Sequence, residues 1–327
     1  MMKSLKNKIK TSFPVVWIRV FLAKLQETTK ASKHLCTSGM YSNSEKLITP
    51  LTIATHALEK GMSIGKARYG FGQSKALELL KGLQLYLNIG GDKSFVNESC
   101  TVIKKYIEYN VTHGANMEAV ITVFNSFCKA NNIEFVPYGG IYELDHSFIR
   151  EKAQSTFDEF SQSRFAVRDF GEFPISREDI ERALKLCERT PTACNRQSQR
   201  VHIYLNKDKI EKLCKLQGGG RGFIDEMQGA ILICSDLRSY DFYETNLPYV
   251  DASLYGMNLM YSLHYYDIAS IPLTMGHKTR YTNRIMKEMN LPDNEVPILL
   301  VAIGSYKEQL RVAQSHRKNW KEYTEFI

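Results

Sequence analysis

Arg189-Thr190-Pro191-Thr192-Ala193-Cys194-Asn195-Arg196-Gln197 joins a helix-like run, Ile180 to Cys187, to a strand-like segment, Val201 to Leu205. A turn of this composition presents amide side chains, each able to donate and accept. That suits a planar heterocycle with alternating donors and acceptors along its edge, while the small residues let the backbone come close. A capped helix-to-strand turn explains the same residues. The rest of the chain decides between the two.

Upstream, Ser176-Arg177-Glu178-Asp179 is a helix start with acids in the first turn, and it opens the helix that delivers the turn. Before it, Arg164 and Arg168 lie four residues apart, a spacing that can face one anion. Arg suits phosphate through its planar fork. Downstream, Ala230 to Cys234 and Val296 to Ile303 read as buried strands. Between them Tyr249 to Tyr265 forms a helix that is apolar on much of its circumference. Ile268 to Met275 gives a strand or loop, and Arg280 to Met289 a helix. The glycines at 218–220 and 222 lack the Lys-Ser/Thr of a Walker A loop and the spacing of a dinucleotide fingerprint.

The first half reads as helical. Apolar spacing marks Lys75 to Leu87, Val102 to Tyr109 and Met117 to Cys128, and residues 131–150 read as a linker. His56-Ala57-Leu58-Glu59-Lys60-Gly61 and Arg68-Tyr69-Gly70-Phe71-Gly72 suggest either a shaped loop or a helix end followed by a turn.

The net charge is +8, and 43% of the 327 residues are hydrophobic. Met1 to Lys33 hold eight basic residues and one acid, a net +7, which leaves +1 for the remainder. A nearly neutral body lacks the field of a nucleic-acid binder, so no nucleic-acid partner is expected. The run Phe13 to Leu22 is interrupted by Arg19 and is too short to span a bilayer, which takes about 20 apolar residues. A basic amphipathic helix there would lie on a membrane surface, or dock on its own protein or a dimer partner. Seven cysteines without a Cys-x-x-Cys pattern point to free thiols and a cytoplasmic setting, peripheral at the inner face of the membrane if the helix binds lipid. No Gly-x-Ser-x-Gly elbow, His-Glu-x-x-His or other metal-ligand spacing is present.

From Phe157 onward the chain resembles the nitroreductase family of FMN-dependent oxidoreductases. The resemblance rests on Arg164-Phe165-Ala166-Val167-Arg168-Asp169-Phe170, on Thr190 to Gln197, and on Ile303-Gly304-Ser305-Tyr306 with Ser315-His316-Arg317. It implies an α+β nitroreductase-like fold, a central mixed sheet flanked by helices, preceded by a mostly helical region. Three segments follow from it: 1–33, basic and amphipathic; 34–150, helical; and 151–327, FMN-binding. It also implies FMN as cofactor, NAD(P)H as transient reductant, a small nitro, quinone or other acceptor, and a homodimer.

By the same resemblance Arg164, Phe165, Ala166 and Arg168 would line the flavin, with Arg164 and Arg168 on the phosphate or the pyrimidine edge and Arg317 on the phosphate. Asn195 and Gln197 would bond the ring or ribityl chain, and backbone at Leu273 and Thr274 would lie near the ring. No catalytic side chain is implied, because the cofactor carries the chemistry. Phe165 and Ala166 stand where the family has Arg and Ser, and Ser198-Gln199 where it has Pro-Trp. His56-x-x-Glu59-Lys60-Gly61 with Arg68-x-Gly70-Phe71-Gly72, Gly220 to Phe223 and Glu244-Thr245-Asn246 resemble a subgroup associated with bacterial surface polysaccharide biosynthesis. The departures leave a second reading open: a flavin-fold interaction protein without redox turnover, docked on a membrane-associated biosynthetic partner.

Overall fold

The computed structural model describes residues 10–66, 68–276 and 279–327, so Lys3, Lys6 and Lys8 of the basic segment lie outside it. In chain order come α1 (Phe13–His34), α2 (Ser44–Met62), α3 (Gln73–Asn88), α4 (Lys93–Thr112) and α5 (Glu118–Asn131). Next are β1 (Ile141–Asp145), α6 (His146–Ala153), α7 (Phe157–Ser163) and α8 (Arg177–Leu186). Then follow β2 (Gln199–Tyr204), α9 (Lys207–Gln217), β3 (Gly229–Asp236), α10 (Leu247–Tyr265), β4 (Ile268–Thr274), α11 (Thr279–Glu288), β5 (Glu295–Ser305) and β6 (Gln309–Ala313).

These elements form two units: a helical one (36–148, 165–169 and 308–327) and a sheet unit (residues up to 35, 149–164 and 170–307). The tail and the segment around Arg168 thus belong with the helices, unlike the division at 150/151 read from the sequence. In the helical unit α2 to α5 close over Leu51, Leu58, Leu80, Leu83, Ile103 and Tyr106. Polar caps start two of these helices: Asn43 accepts from Lys46 N at 3.1 Å and Asp92 from Ser94 N at 2.9 Å. The segment read as a linker contains β1, which pairs antiparallel with β6 from Ile141↔Ala313 to Asp145↔Gln309.

The sheet unit has four strands in the order β2-β3-β5-β4. The α+β class is as expected, but the mixed sheet is corrected, because every neighbouring pair among the described residues runs antiparallel. The connections explain this. A parallel neighbour would need the chain returned to the end where the previous strand began. Here Ala230 at the start of β3 pairs with Tyr204 at the end of β2, so α9 and its loop bring the chain back to where β2 stopped.

Ile231, Ile233, Val301 and Ile303 form the sheet face under α8 and α10, where Ile180, Ala252, Leu259 and Leu263 complete the core. Burying each such side chain contributes about 1.5–3 kcal/mol. Gly256 lets α10 sit close to the sheet, since a Cβ there would come within 2.5 Å of Leu299 Cδ2.

Gly171 is a tighter case. Its N–H donates to Ser305 O at 2.8 Å, and a Cβ would lie 2.4 Å from the carbonyl oxygen of Tyr306. A backbone oxygen cannot swing away as a side chain can. Gly171→Ala should therefore lower unfolding free energy by about 1–3 kcal/mol in urea titrations; an unchanged midpoint would refute the steric argument.

Candidate functional site

In the sheet unit, the turn after α8 carries three non-glycine residues in the left-handed region: Cys194 (φ 50), Asn195 (φ 56) and Gln197 (φ 50). Such conformations cost about 1–2 kcal/mol each and persist only where surroundings impose them. The surroundings are specific. Ala193 N donates to Asp251 Oδ1 at 3.0 Å, Gln197 N to Thr192 Oγ1 at 3.0 Å, and Asn258 Nδ2 to Thr190 Oγ1 at 2.7 Å. Arg196 points the other way, donating its two terminal nitrogens to the two carboxylate oxygens of Glu244 and also reaching Ser239 O at 3.0 Å. That guanidinium holds the Glu244 carboxyl down to about 2. The backs of the turn residues are thus pinned, while Asn195 and Gln197 stand exposed and only 3.3 Å apart, Gln197 Nε2 to Asn195 Oδ1.

Ser198 is fully buried. Its hydroxyl bonds Tyr240 OH, which donates to Asp251 Oδ2 at 2.8 Å and lies 3.1 Å from Ser235 Oγ. Ser198 is thus part of a buried polar network. Asp251 and Tyr240 were not legible as site residues: one is a lone acid in an apolar helix, the other lies in a loop.

Leu273 is buried, while Thr274 is exposed at the end of β4, where its carbonyl accepts from Gln217 Nε2 at 2.8 Å. A cleft of about 740 Å³ opens beside this segment, lined by Tyr249, Met275, Gly276, Met286, Leu291 and Pro297 among others. Of the Pro272 to Gly276 segment that the resemblance places near the ring, Met275 and Gly276 line this cleft. His202, Cys234 and Glu295 bring three potential ligand atoms within 4.8 Å of one another. Two of them already form a hydrogen-bonded pair, His202 Nε2 to Glu295 Oε2 at 2.6 Å, and Cys234 belongs to the sheet's buried interior.

The two arginines four apart have different neighbours. Arg164, in the sheet unit, is close enough to His264 for its positive charge to act on the imidazole. His264 is 1% exposed, with Nε2 2.9 Å from Ser163 Oγ and Nδ1 3.1 Å from Tyr306 OH. Burial first, and then Arg164, push its pKa down to about 4.

In the helical unit, Arg168 is 7% exposed, donates to Ala166 O at 3.3 Å and faces the charge of Glu59; burial pushes it down to about 10. Glu59 is itself buried, accepting from Gly140 N at 3.0 Å and lying 3.0 Å from His56 Nδ1. Lys60 is lowered by burial and then by the like charges of Arg168 and Lys75. Phe165 packs edge-on against Tyr142, with ring centroids 6.0 Å apart, and Arg317 is exposed. The motif from His56 to Gly61 is therefore the end of a helix, with a turn following at residues 69–72, the second of its two readings.

The nitroreductase family model matches residues 162–218, the stretch that holds Arg164, Arg168 and the turn. A protein of Archaeoglobus fulgidus, provisionally named NADH dehydrogenase/NAD(P)H nitroreductase, is 22% identical over 167 residues, 48% of this chain and 95% of that one. Among solved structures, a nitroreductase family protein of Clostridium difficile 630 is 24% identical, covering 53% of this chain and 98% of its own, with a TM-score of 0.45. A nitroreductase-like protein of Streptococcus mutans is 22% identical, covering 52% and 98%, with a TM-score of 0.46. An FMN-dependent nitroreductase of Clostridium difficile R20291 is 18% identical, covering 45% and 86%, with a TM-score of 0.41.

The depressed His264 gives a pH signature. The folded protein keeps this imidazole neutral down to about pH 4, whereas the unfolded chain protonates it below about 6.5. The unfolded state then binds more protons, so stability is complete above about pH 6.5 and falls as pH drops toward 4. The loss should be on the order of 2 kcal/mol at pH 5. Urea unfolding of the native chain and of His264→Gln from pH 7.5 to 4.5 measures it; parallel pH profiles for the two would refute it.

Proposed function

We propose that the chain is an FMN-dependent NAD(P)H oxidoreductase of the nitroreductase type that passes electrons to a nitro, quinone or other small acceptor. The observation that carries this is the family match over 162–218, inside which lies a turn whose two amides are held outward by a strained, pinned backbone. The relative of which the chain spans 95% is named for NADH and NAD(P)H chemistry, which supports the reductant.

The residues present fit such a cofactor. In the sheet unit, Asn195 and Gln197 offer donors and acceptors to the edge of a planar ring, and Met275 and Gly276, next along the chain from Leu273 and Thr274, line a cleft of mixed polar and apolar residues. Arg168 and Arg317, which the resemblance also assigns to the cofactor, lie in the helical unit, the first buried beside the charge of Glu59 and the second exposed. Bound FMN would supply the hydride chemistry, and the chain's task is to bind, orient and balance charge. Arg164, whose charge reaches His264, would help burial keep that imidazole neutral.

The exposed side of α10, with Tyr249, Val250 and Leu254 about half accessible, supports a homodimer through this helix. The likeness of the His56 to Gly61 and Glu244 to Asn246 segments to the polysaccharide-associated subgroup supports a place in surface-polysaccharide biosynthesis.

The test is flavin binding followed by turnover. Purified protein should quench FMN fluorescence and oxidise NADH or NADPH with a quinone or nitroaromatic acceptor. Protein that binds no FMN would favour the non-redox reading. Asn195 sharpens the experiment, because its positive φ makes alanine a backbone perturbation as well as a deletion of the amide. Asn195→Gly and Asn195→Ala should both weaken FMN binding about tenfold, roughly one lost hydrogen bond. Only the alanine variant should lose stability, by about 1 kcal/mol. FMN affinity unchanged in both would remove Asn195 from the site.

A further inference from the structure

Helix α1 is apolar on two sides. One side faces the sheet unit: Val15, Val16, Val20 and Ala23 are partly covered. Arg19 lies over the Phe242 ring at 5.2 Å, Thr245 Oγ1 donates to Glu27 Oε1 at 2.9 Å, and Lys24 Nζ reaches both Glu27 Oε2 (3.0 Å) and Asn246 Oδ1 (3.4 Å). The hydrogen bonds from Lys24 and Thr245 hold the Glu27 carboxyl below its ordinary range. This side is anchored by specific partners.

The other side has none of that covering. Phe13, Trp17, Ile18, Phe21, Leu22 and Leu25 recur every three or four residues, which puts them on one face of the helix, and each is 50% exposed or more. Trp17 and Phe21 stack with ring centroids 5.4 Å apart, and Pro14 lies on the same stripe. Six large apolar side chains in one contiguous stripe are more than a surface normally leaves to water.

We propose that this face docks on an anionic lipid surface, with the helix lying in the plane of the interface. Charge selects the occupant. Residues 1–33 carry a net +7, and Lys10 and Lys30 flank the stripe, exposed. Two copies packed through this face would bring two such basic segments together, whereas lipid phosphates attract them while the acyl boundary takes the Trp and Phe side chains. No helix among the described residues is long and apolar enough to cross a membrane, so the contact is peripheral. The stripe runs from residue 13 to 25, about 18 Å along the helix axis at ~1.5 Å per residue, enough for an interfacial segment.

The full chain carrying Trp320→Phe leaves Trp17 as sole tryptophan reporter. It should co-sediment with phosphatidylglycerol/phosphatidylethanolamine vesicles, with a blue-shifted Trp17 emission, and at least tenfold less with phosphatidylcholine vesicles. Salt at about 1 M, where the Debye length is ~3 Å, should release most of it. Adding Phe21→Glu should lower partitioning at least tenfold, with circular dichroism checking the fold. Equal retention on both vesicle types, no retention, or retention indifferent to Phe21→Glu would each overturn the proposal. So would a lipid-free Trp17 blue shift that grows with protein concentration and is lost in the Phe21→Glu variant, since a second copy would then cover the stripe.

Discussion

The sheet unit depends on one buried carboxylate. Asp251, 2% exposed near the start of α10, accepts the Ala193 amide on one oxygen and the Tyr240 hydroxyl on the other. A carboxylate taken from water without partners is costly, so these hydrogen bonds are required once α10 packs on the sheet. Through them α10 fixes the start of the turn, and through Tyr240 it fixes Ser198 and Ser235 at adjacent ends of β2 and β3. The apolar packing of α10 decides where the helix lies. Asp251 decides which backbone conformation the neighbouring loop must adopt to match it.

The helical unit repeats this logic with opposite polarity. Glu59, near the C-terminal end of α2, is satisfied by Gly140 N and His56. The buried Arg168 guanidinium is stabilised by the charge of that same acid, since an uncompensated buried cation costs several kcal/mol.

Local pattern made the long elements readable. The periodicity of residues 249–265 and the runs 230–234 and 296–303 needed no distant partner to be recognised, and α10, β3 and β5 lie where those runs do. β1 and β6 were illegible because each is five residues long and gains its strand character only from a partner more than 160 positions away. Sheet direction was illegible for a related reason, since strands alternating with helices read as parallel units unless the connecting loops are known to return. Within the site, Asn195 and Gln197 announce themselves by composition. Asp251, Tyr240 and His264 do not, because their importance comes from burial beside particular partners, and neither burial nor those partners is a property of local sequence.

The strained turn joins these threads. Three left-handed non-glycine residues within four positions would relax in an isolated loop, as each costs about 1–2 kcal/mol. Here Asp251 holds the entry, Arg196–Glu244 the middle and Ser198 the exit. Glu244 is followed directly by Thr245 and Asn246, which hold Glu27 of α1, so three consecutive polar residues anchor the turn on one side and the N-terminal helix on the other. That double duty gives a physical reason for finding Glu-Thr-Asn at this point of the chain. Strain that looks unfavourable in an isolated loop is thereby offset by hydrogen bonds at its entry, middle and exit.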